Sequence, residues 1–250
     1  MRHPGWDLAA VAVLLLPALV HAEDYQILER GRSAAGGVLV NMTGGARTNR
    51  PIDPSRPTLV VVHGINMFHP YWHYTVAERY AEVVAGRYGG TVNVLGWDWN
   101  ADTLPGLWPP RVDRHAVEQG KALGQALLNA GVDPSRAQVL GQSEGCVVAT
   151  SAVREMRDRT GRAAGRLTLI DPAWGQHNLL FVELGATSAA AQVQHFWVRS
   201  TSGFGREAHY PGVLNTKIDG KSGLRGYLKL SHLDHYNALR WHLDEIAAGR

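Results

Sequence analysis

Cysteine is nearly absent from this chain: 250 residues contain one, Cys146. A single cysteine cannot form a disulfide within the chain, so the hydrophobic core has to hold the fold, which a chain of this length can supply. Because Cys146 falls in an apolar stretch, we expect a small buried side chain there rather than a reactive thiol.

The chain also has little net charge. The formal net charge is +3, charged residues make up 19% of the chain, and no basic stripe is clustered along it. The sequence therefore predicts no nucleic-acid partner. A hydrophobic share of 45% is ordinary for a globular protein and excludes a disordered or fibrous one.

Long apolar runs are scarce, and the longest lies near the amino terminus. Residues 8–20 are apolar, and Val20-His21-Ala22 places small residues three and one positions before a cleavage point, which is the pattern of a secretory signal peptide. Pro17 interrupts the run, which is shorter than the roughly 20 residues that cross a bilayer, so an uncleaved anchor is the less favoured alternative. We expect a signal peptide at 1–22, one folded domain at 23–250, and a secreted or periplasmic protein.

The body of the chain alternates between short β-branched apolar runs and helical stretches. The predicted strands are 38–40, 58–62, 91–95, 137–140, 166–170 and 192–198, and the predicted helices are 72–87, 112–130, 146–159 and a last one from Ser231. The strands lack polar alternation, as do strands buried on both faces of a parallel sheet. This order predicts an α/β fold, with a mostly parallel sheet and helices on both faces.

Residues 200–230 break this pattern. They contain six glycines and show little periodicity, so we expect a long excursion over the surface. Apolar residues in it are too scattered to form the apolar face of an interfacially activated lid.

One motif in the chain has the form Gly-x-Ser-x-Gly, and it is Gly141-Gln142-Ser143-Glu144-Gly145. It stands between a predicted strand and a predicted helix, the context of a nucleophile elbow, in which the serine sits on a sharp strained turn. The strand and the helix approach each other closely there, so the positions two before and two after the serine have no room for a side chain, and glycine fits both. The alternative is an ordinary turn in which Ser143 caps the helix.

The strand at 58–62 ends in His63-Gly64. A glycine there lets the chain turn, so the N–H of Ile65 can join the N–H of Glu144 in a two-donor oxyanion hole. His63 itself is expected to be structural and to bond within its own loop.

A serine nucleophile needs a histidine base and a carboxylate that orients it. Asp171 follows the strand at 166–170, so it is expected at the same sheet edge as Ser143. Asp98 also ends a predicted strand, but it precedes Ser143 and lies between two tryptophans, so a structural or pocket-wall role is favoured for it.

Several histidines could act as the base. His232 and His235 border the start of the last helix, and His209 lies in the preceding excursion. From the residues alone the first position of the helix, His232, is favoured, because its ring can swing over the sheet edge.

With these segments the sequence resembles the pancreatic-type lipase family of α/β-hydrolases, over about residues 36–245. The matching segments, in chain order, are Val62-His63-Gly64, Trp97-Asp98-Trp99, 137–145, Leu169-Ile170-Asp171-Pro172-Ala173 and Ser231-His232-Leu233. The resemblance implies an α/β-hydrolase fold with Asp171 as the acid and His232 as the base. The elbow of this chain reads Gln-Ser-Glu where the family usually has His-Ser-Leu. The resemblance therefore implies the catalytic triad more strongly than it implies triglyceride as the substrate.

These patterns together predict two-step acyl transfer on a carboxylic ester, through an acyl-enzyme on Ser143. This chemistry needs no cofactor, and no metal site is predicted. The partner is a small-molecule or lipid ester, with at most transient contact with a lipid surface. The alternative from another class is an inactive hydrolase-fold protein that binds or stores lipid.

Overall fold

The computed structural model describes residues 29–30, 37–48, 50–65, 72–99, 109–198, 205–218 and 231–249, so the predicted signal peptide lies outside it. Within those ranges eight strands form one sheet in the order β1-β2-β4-β3-β5-β6-β7-β8. The strands are Glu29–Arg30 (β1), Val38–Asn41 (β2), Thr58–Val62 (β3), Asn93–Asp98 (β4), Ala137–Gln142 (β5), Arg166–Ile170 (β6), Val193–Trp197 (β7) and Val213–Lys217 (β8). β2 is antiparallel to β1 and β4, and the other neighbouring strands are parallel.

Helices cover both faces of this sheet. They are Trp72–Tyr88 (α1), Pro109–Asn129 (α2), Gly145–Thr160 (α3), Ala186–Ala189 (α4) and Ser231–Ala248 (α5). One buried core joins the sheet to α2, α3 and α4, and a second joins it to α1 and α5. The predicted fold class is confirmed: this is an α/β-hydrolase fold, a mostly parallel sheet between two helical layers. In the part of the chain described, no helix combines the length and the apolarity needed to cross a membrane.

The alternation of β3 shows why its sequence is a continuous apolar run. Val60 and Val62 belong to the core under α2 and α3, whereas Leu59 and Val61 belong to the core under α1 and α5. Every residue of the strand is buried. A strand covered on both faces has no position at which a polar residue would be solvated.

The prediction for residues 200–230 was wrong in part. Val213–Lys217 form β8, the edge strand beside β7, inside the segment expected to be a surface excursion. An edge strand pairs on one side only and keeps solvent on the other, so it can carry polar residues such as Asn215 and Lys217. No apolar run therefore marks it in the sequence.

Candidate active site

Backbone strain in the described residues is concentrated at two predicted site residues. Ser143 has a φ of 55° and Asp171 a φ of 48°, and they are the two non-glycine residues with positive φ there. Side chains disfavour this region, at a cost of order 1–3 kcal/mol each, so such residues persist only where their surroundings hold them. Both directly follow neighbouring parallel strands, β5 and β6, at the same edge of the sheet.

The turn around Ser143 has the form predicted for a nucleophile elbow. β5 ends at Gln142 and α3 begins at Gly145. A Cβ at position 141 would lie 2.2 Å from the carbonyl oxygen of Gly145, and a Cβ at position 145 would lie 2.5 Å from that of His63. These are backbone atoms that cannot move aside, so the two flanking positions have to be glycine for the elbow to close.

Asp171 is a fully buried carboxylate with two donors. Its Oδ1 accepts a hydrogen bond from the N–H of Val198 at 3.0 Å, and its Oδ2 lies 2.7 Å from Nδ1 of His235. The backbone donor fixes the carboxylate, which in turn orients the imidazole. An acid that holds a histidine by Nδ1 at a strand end is the arrangement that a hydrolase triad requires.

The structure brings His235 to the predicted acid. Both belong to α5, three residues apart, and the side chain of His232 lies outside the described residues. His235 is buried and stands in a stripe of buried α5 residues at helical spacing, with Ala238, Leu239 and His242. His235 is therefore the imidazole that Asp171 orients in the described structure, and the assignment of His232 as the base stays a prediction.

The other ring nitrogen of His235 faces Gln142. Because Nδ1–H donates to Asp171, Nε2 carries the lone pair, and the amide nitrogen of Gln142 lies 3.1 Å from it and donates to it. Gln142 is buried and directly precedes Ser143. Sequence reasoning missed this contact, although the unusual Gln-Ser-Glu elbow was a signal that the neighbours of the serine differ from those of the family.

The loop after β3 packs directly against the elbow. A Cβ at position 64 would lie 2.8 Å from the Cβ of Ser143. Ile65 follows at once and is half-buried, while Glu144 is buried beside the nucleophile. The chain segments predicted to form the oxyanion hole are thus adjacent to Ser143.

His63 and Asp98 form a separate structural group. Nδ1 of His63 lies 2.7 Å from the carbonyl oxygen of Gly64, and its own carbonyl accepts a hydrogen bond from Nε1 of Trp99 at 2.9 Å. Asp98 lies 3.8 Å from Nε2 of His63. The hydrogen bond predicted for His63 within its own loop is confirmed, and Asp98 lies beside His63.

His209 and Cys146 are two further residues that the sequence analysis considered. His209 is exposed. Cys146 is fully buried, so the small buried side chain predicted there is confirmed, and burial raises the pKa of its thiol well above the usual value. In the described ranges, no three His, Cys, Asp or Glu side chains are grouped so that they could hold a metal ion.

A cavity of about 530 Å³ lies at the opposite edge of the sheet. It is lined by the first residues of β3, β5 and β6 and by the end of α5, including Trp241. Ser143 and Asp171 follow the last residues of their strands. In α/β sheets the carboxyl edge carries the chemistry, so we place the candidate site at Ser143 rather than in this cavity.

No protein family model matches the chain, and no curated protein matches its sequence. Among solved structures it is similar to an esterase from Pyrobaculum calidifontis, at 16% identity and a TM-score of 0.48, over 88% of this chain and 82% of that one. It is also similar to esterase 2 from the planctomycete Thermogutta terrifontis, at 12% identity and a TM-score of 0.44, over 89% of this chain and 92% of that one. Similarity at this level assigns neither a family nor an activity, so the function has to be inferred from the geometry of the chain's own residues.

Proposed function

We propose that this protein is a serine hydrolase that cleaves carboxylic esters, with Ser143 as nucleophile, His235 as base and Asp171 as acid. One observation carries the proposal. The two strained non-glycine residues of the described structure are the nucleophile and the acid predicted from sequence, and the acid holds a buried histidine at 2.7 Å. Strain of this kind clusters at active sites, where the surroundings maintain it.

The proposed reaction is acyl transfer in two steps. His235 takes the proton of Ser143 as the serine attacks the ester carbonyl, and the N–H groups of Ile65 and Glu144 stabilise the oxyanion. His235 then gives the proton to the leaving alcohol, and water repeats the cycle on the acyl-enzyme. Nε2 of His235 can accept the proton of Ser143 only after the hydrogen bond from Gln142 has broken. Hydrogen bonds in active sites often rearrange in this way when substrate binds.

The substrate proposed is a small-molecule or lipid ester. We retain the resemblance to pancreatic-type lipases as part of the proposal, because Ser143 and Asp171 fall on its two most specific segments. The polar, glycine-rich stretch at 200–230 favours soluble or short-chain esters at least as much as emulsified lipid, with only transient contact with a lipid surface.

A second function is favoured by the contact between Gln142 and His235. If Gln142 keeps the Nε2 lone pair in all states, Ser143 has no base, and the protein would be an inactive hydrolase-fold protein that binds or stores lipid. The two functions differ in a property that can be measured, which is the reactivity of Ser143.

Fluorophosphonate labelling distinguishes the two, because the reagent modifies only an activated serine. We expect folded protein to be labelled at Ser143, as located by peptide mapping, and unfolded protein to remain unlabelled. p-Nitrophenyl esters of graded chain length then define the acyl preference. A folded protein that neither reacts with the probe nor hydrolyses any of these esters would be the binding protein instead.

We also propose that the protein is exported. The apolar run at 8–20 and the small residues before Glu23 predict that the mature chain begins at Glu23. N-terminal sequencing of the exported protein tests this. A chain that still begins at Met1 and sediments with membranes would indicate an anchor.

A further inference from the structure

A buried carboxyl group directly follows the nucleophile. Glu144 is 6% exposed, and its Oε2 accepts a hydrogen bond from the side-chain amide of Gln176. Its Oε1 is buried and has no hydrogen-bond partner among the described residues. A buried carboxylate oxygen without a donor is costly, so the ionisation state of this group requires an explanation.

Gln176 fixes the arrangement around it. Its Oε1 accepts a hydrogen bond from the N–H of Ala173 at 3.2 Å, which turns its NH₂ group toward the carboxyls. The amide nitrogen donates to Oδ1 of Asp113 at 2.9 Å and also to Glu144. One nitrogen atom therefore holds two carboxyl groups close together, one from α2 and one from the elbow. Because Glu144 is buried, it cannot be ionised at low cost beside an ionised Asp113.

Asp113, on α2, is the titratable group of the described residues whose charge acts on Glu144. Cys146, two residues further on in α3, is in turn acted on by the charges of Glu144 and Asp171. Burial first, and then the charge of Asp113, raise the pKa of Glu144 to about 8, while the hydrogen bond from Gln176 acts in the opposite direction. At neutral pH Glu144 is therefore largely a carboxylic acid, and its proton supplies the donor that a carboxylate pair lacks.

We propose that Glu144 is a positioning residue of the ester-hydrolysing site that works in its neutral form. Its protonated side chain and Gln176 together connect the elbow to the segment that follows Asp171 and to Asp113 near the start of α2. The backbone N–H of the same residue then faces the oxyanion without a negative charge beside it. This role rests on the proposed function.

The consequence follows from charge alone. The oxyanion is negative, and one of the two N–H groups proposed to bind it belongs to Glu144. The side chain of the same residue gains a negative charge when it ionises. Like charges repel strongly in a water-poor site. Turnover of bound ester should therefore fall as the pH rises through the pKa of Glu144.

The first test is the pH profile of kcat on a soluble p-nitrophenyl ester. We expect the wild type to lose activity above about pH 8, by up to about tenfold per pH unit, as for a single ionisation. Glu144→Gln should lack this alkaline limb whatever its maximal rate. Asp113→Asn should move the limb to lower pH, because the charge that raises the pKa is gone. Glu118→Gln, an exposed α2 residue paired with Lys121, is the matched control and should keep the wild-type profile.

The second test needs no catalysis. The folded pKa of Glu144 exceeds the ordinary value, so between about pH 4.5 and 8 the folded state binds more protons than the unfolded one. The wild type should therefore lose stability relative to Glu144→Gln as the pH rises through this window, and the difference should level off above it. Chemical unfolding at several pH values measures this.

The outcomes separate the two proposals. A wild type with neither hydrolysis nor labelling overturns the proposed function and the positioning role with it. A normal rate whose alkaline limb survives unchanged in Glu144→Gln overturns the positioning role alone. A stability difference that stays constant from pH 4.5 to 8 overturns the neutral carboxyl itself.

Discussion

Ser143→Ala is expected to lower kcat on p-nitrophenyl esters by about a millionfold, the size of loss found when a triad nucleophile is removed. The residual rate should come from the oxyanion hole and substrate binding, which remain. Folding should be retained, because the N–H of Ser143 still donates to the carbonyl of Ile170 and alanine fits the same turn. Steady-state kinetics and circular dichroism measure the two properties.

The control for this substitution is Ser135→Ala. Ser135 is an exposed serine whose hydroxyl bonds to Asp133. The Ser135→Ala variant should keep the full rate. A loss seen only in Ser143→Ala can then be attributed to position 143 rather than to the loss of any serine hydroxyl or to protein preparation. A folded Ser143→Ala protein with activity well above the residual level would remove Ser143 as the nucleophile.

His235→Ala is expected to lose nearly as much rate as Ser143→Ala. The two residues act as one unit, so the double variant should be scarcely slower than either single one. His232→Ala should cost no more than an ordinary change at a helix start. The reason for the contrast is the 2.7 Å contact between Nδ1 of His235 and Asp171. Kinetics of these four variants on one ester provide the comparison.

Stability has to be controlled in this experiment, because His235→Ala leaves a buried carboxylate with one donor fewer. His235→Gln retains an N–H that can reach Asp171, so it should fold more stably than His235→Ala while lacking a base. If His232→Ala is the inactive variant and His235→Ala retains activity, the base is His232. The contact with Asp171 would then be structural.

The sheet and the elbow were predictable because their requirements are local. Val60, Val62 and their neighbours are buried on both faces, so β3 is a continuous apolar run in the sequence. Gly141 and Gly145 meet backbone atoms at distances that leave no room for a side chain. Burial and close approach restrict residue types at each position, and such restrictions can be read from one sequence.

What could not be predicted depends on contacts between distant segments. The choice between His232 and His235 depends on how α5 is rotated against the sheet, which its sequence does not fix. Gln176 lies 32 residues from Glu144, and no spacing rule links the two. β8 was missed because an edge strand has no burial requirement of its own on its outer side.

The strand order also determines how the chain has to fold. β3 occupies the middle of the sheet, yet Val60 pairs with Val139, roughly 80 residues further along the chain. Closing a loop of that size precedes any gain from the pairing, so assembly of the sheet is intrinsically slow. Until β5 arrives, the run Thr58–Val62 presents an unpaired, β-branched edge that can associate with other chains. The period of greatest aggregation risk therefore falls between the synthesis of β3 and that of β5. During that interval β3 has to be kept from pairing with other chains.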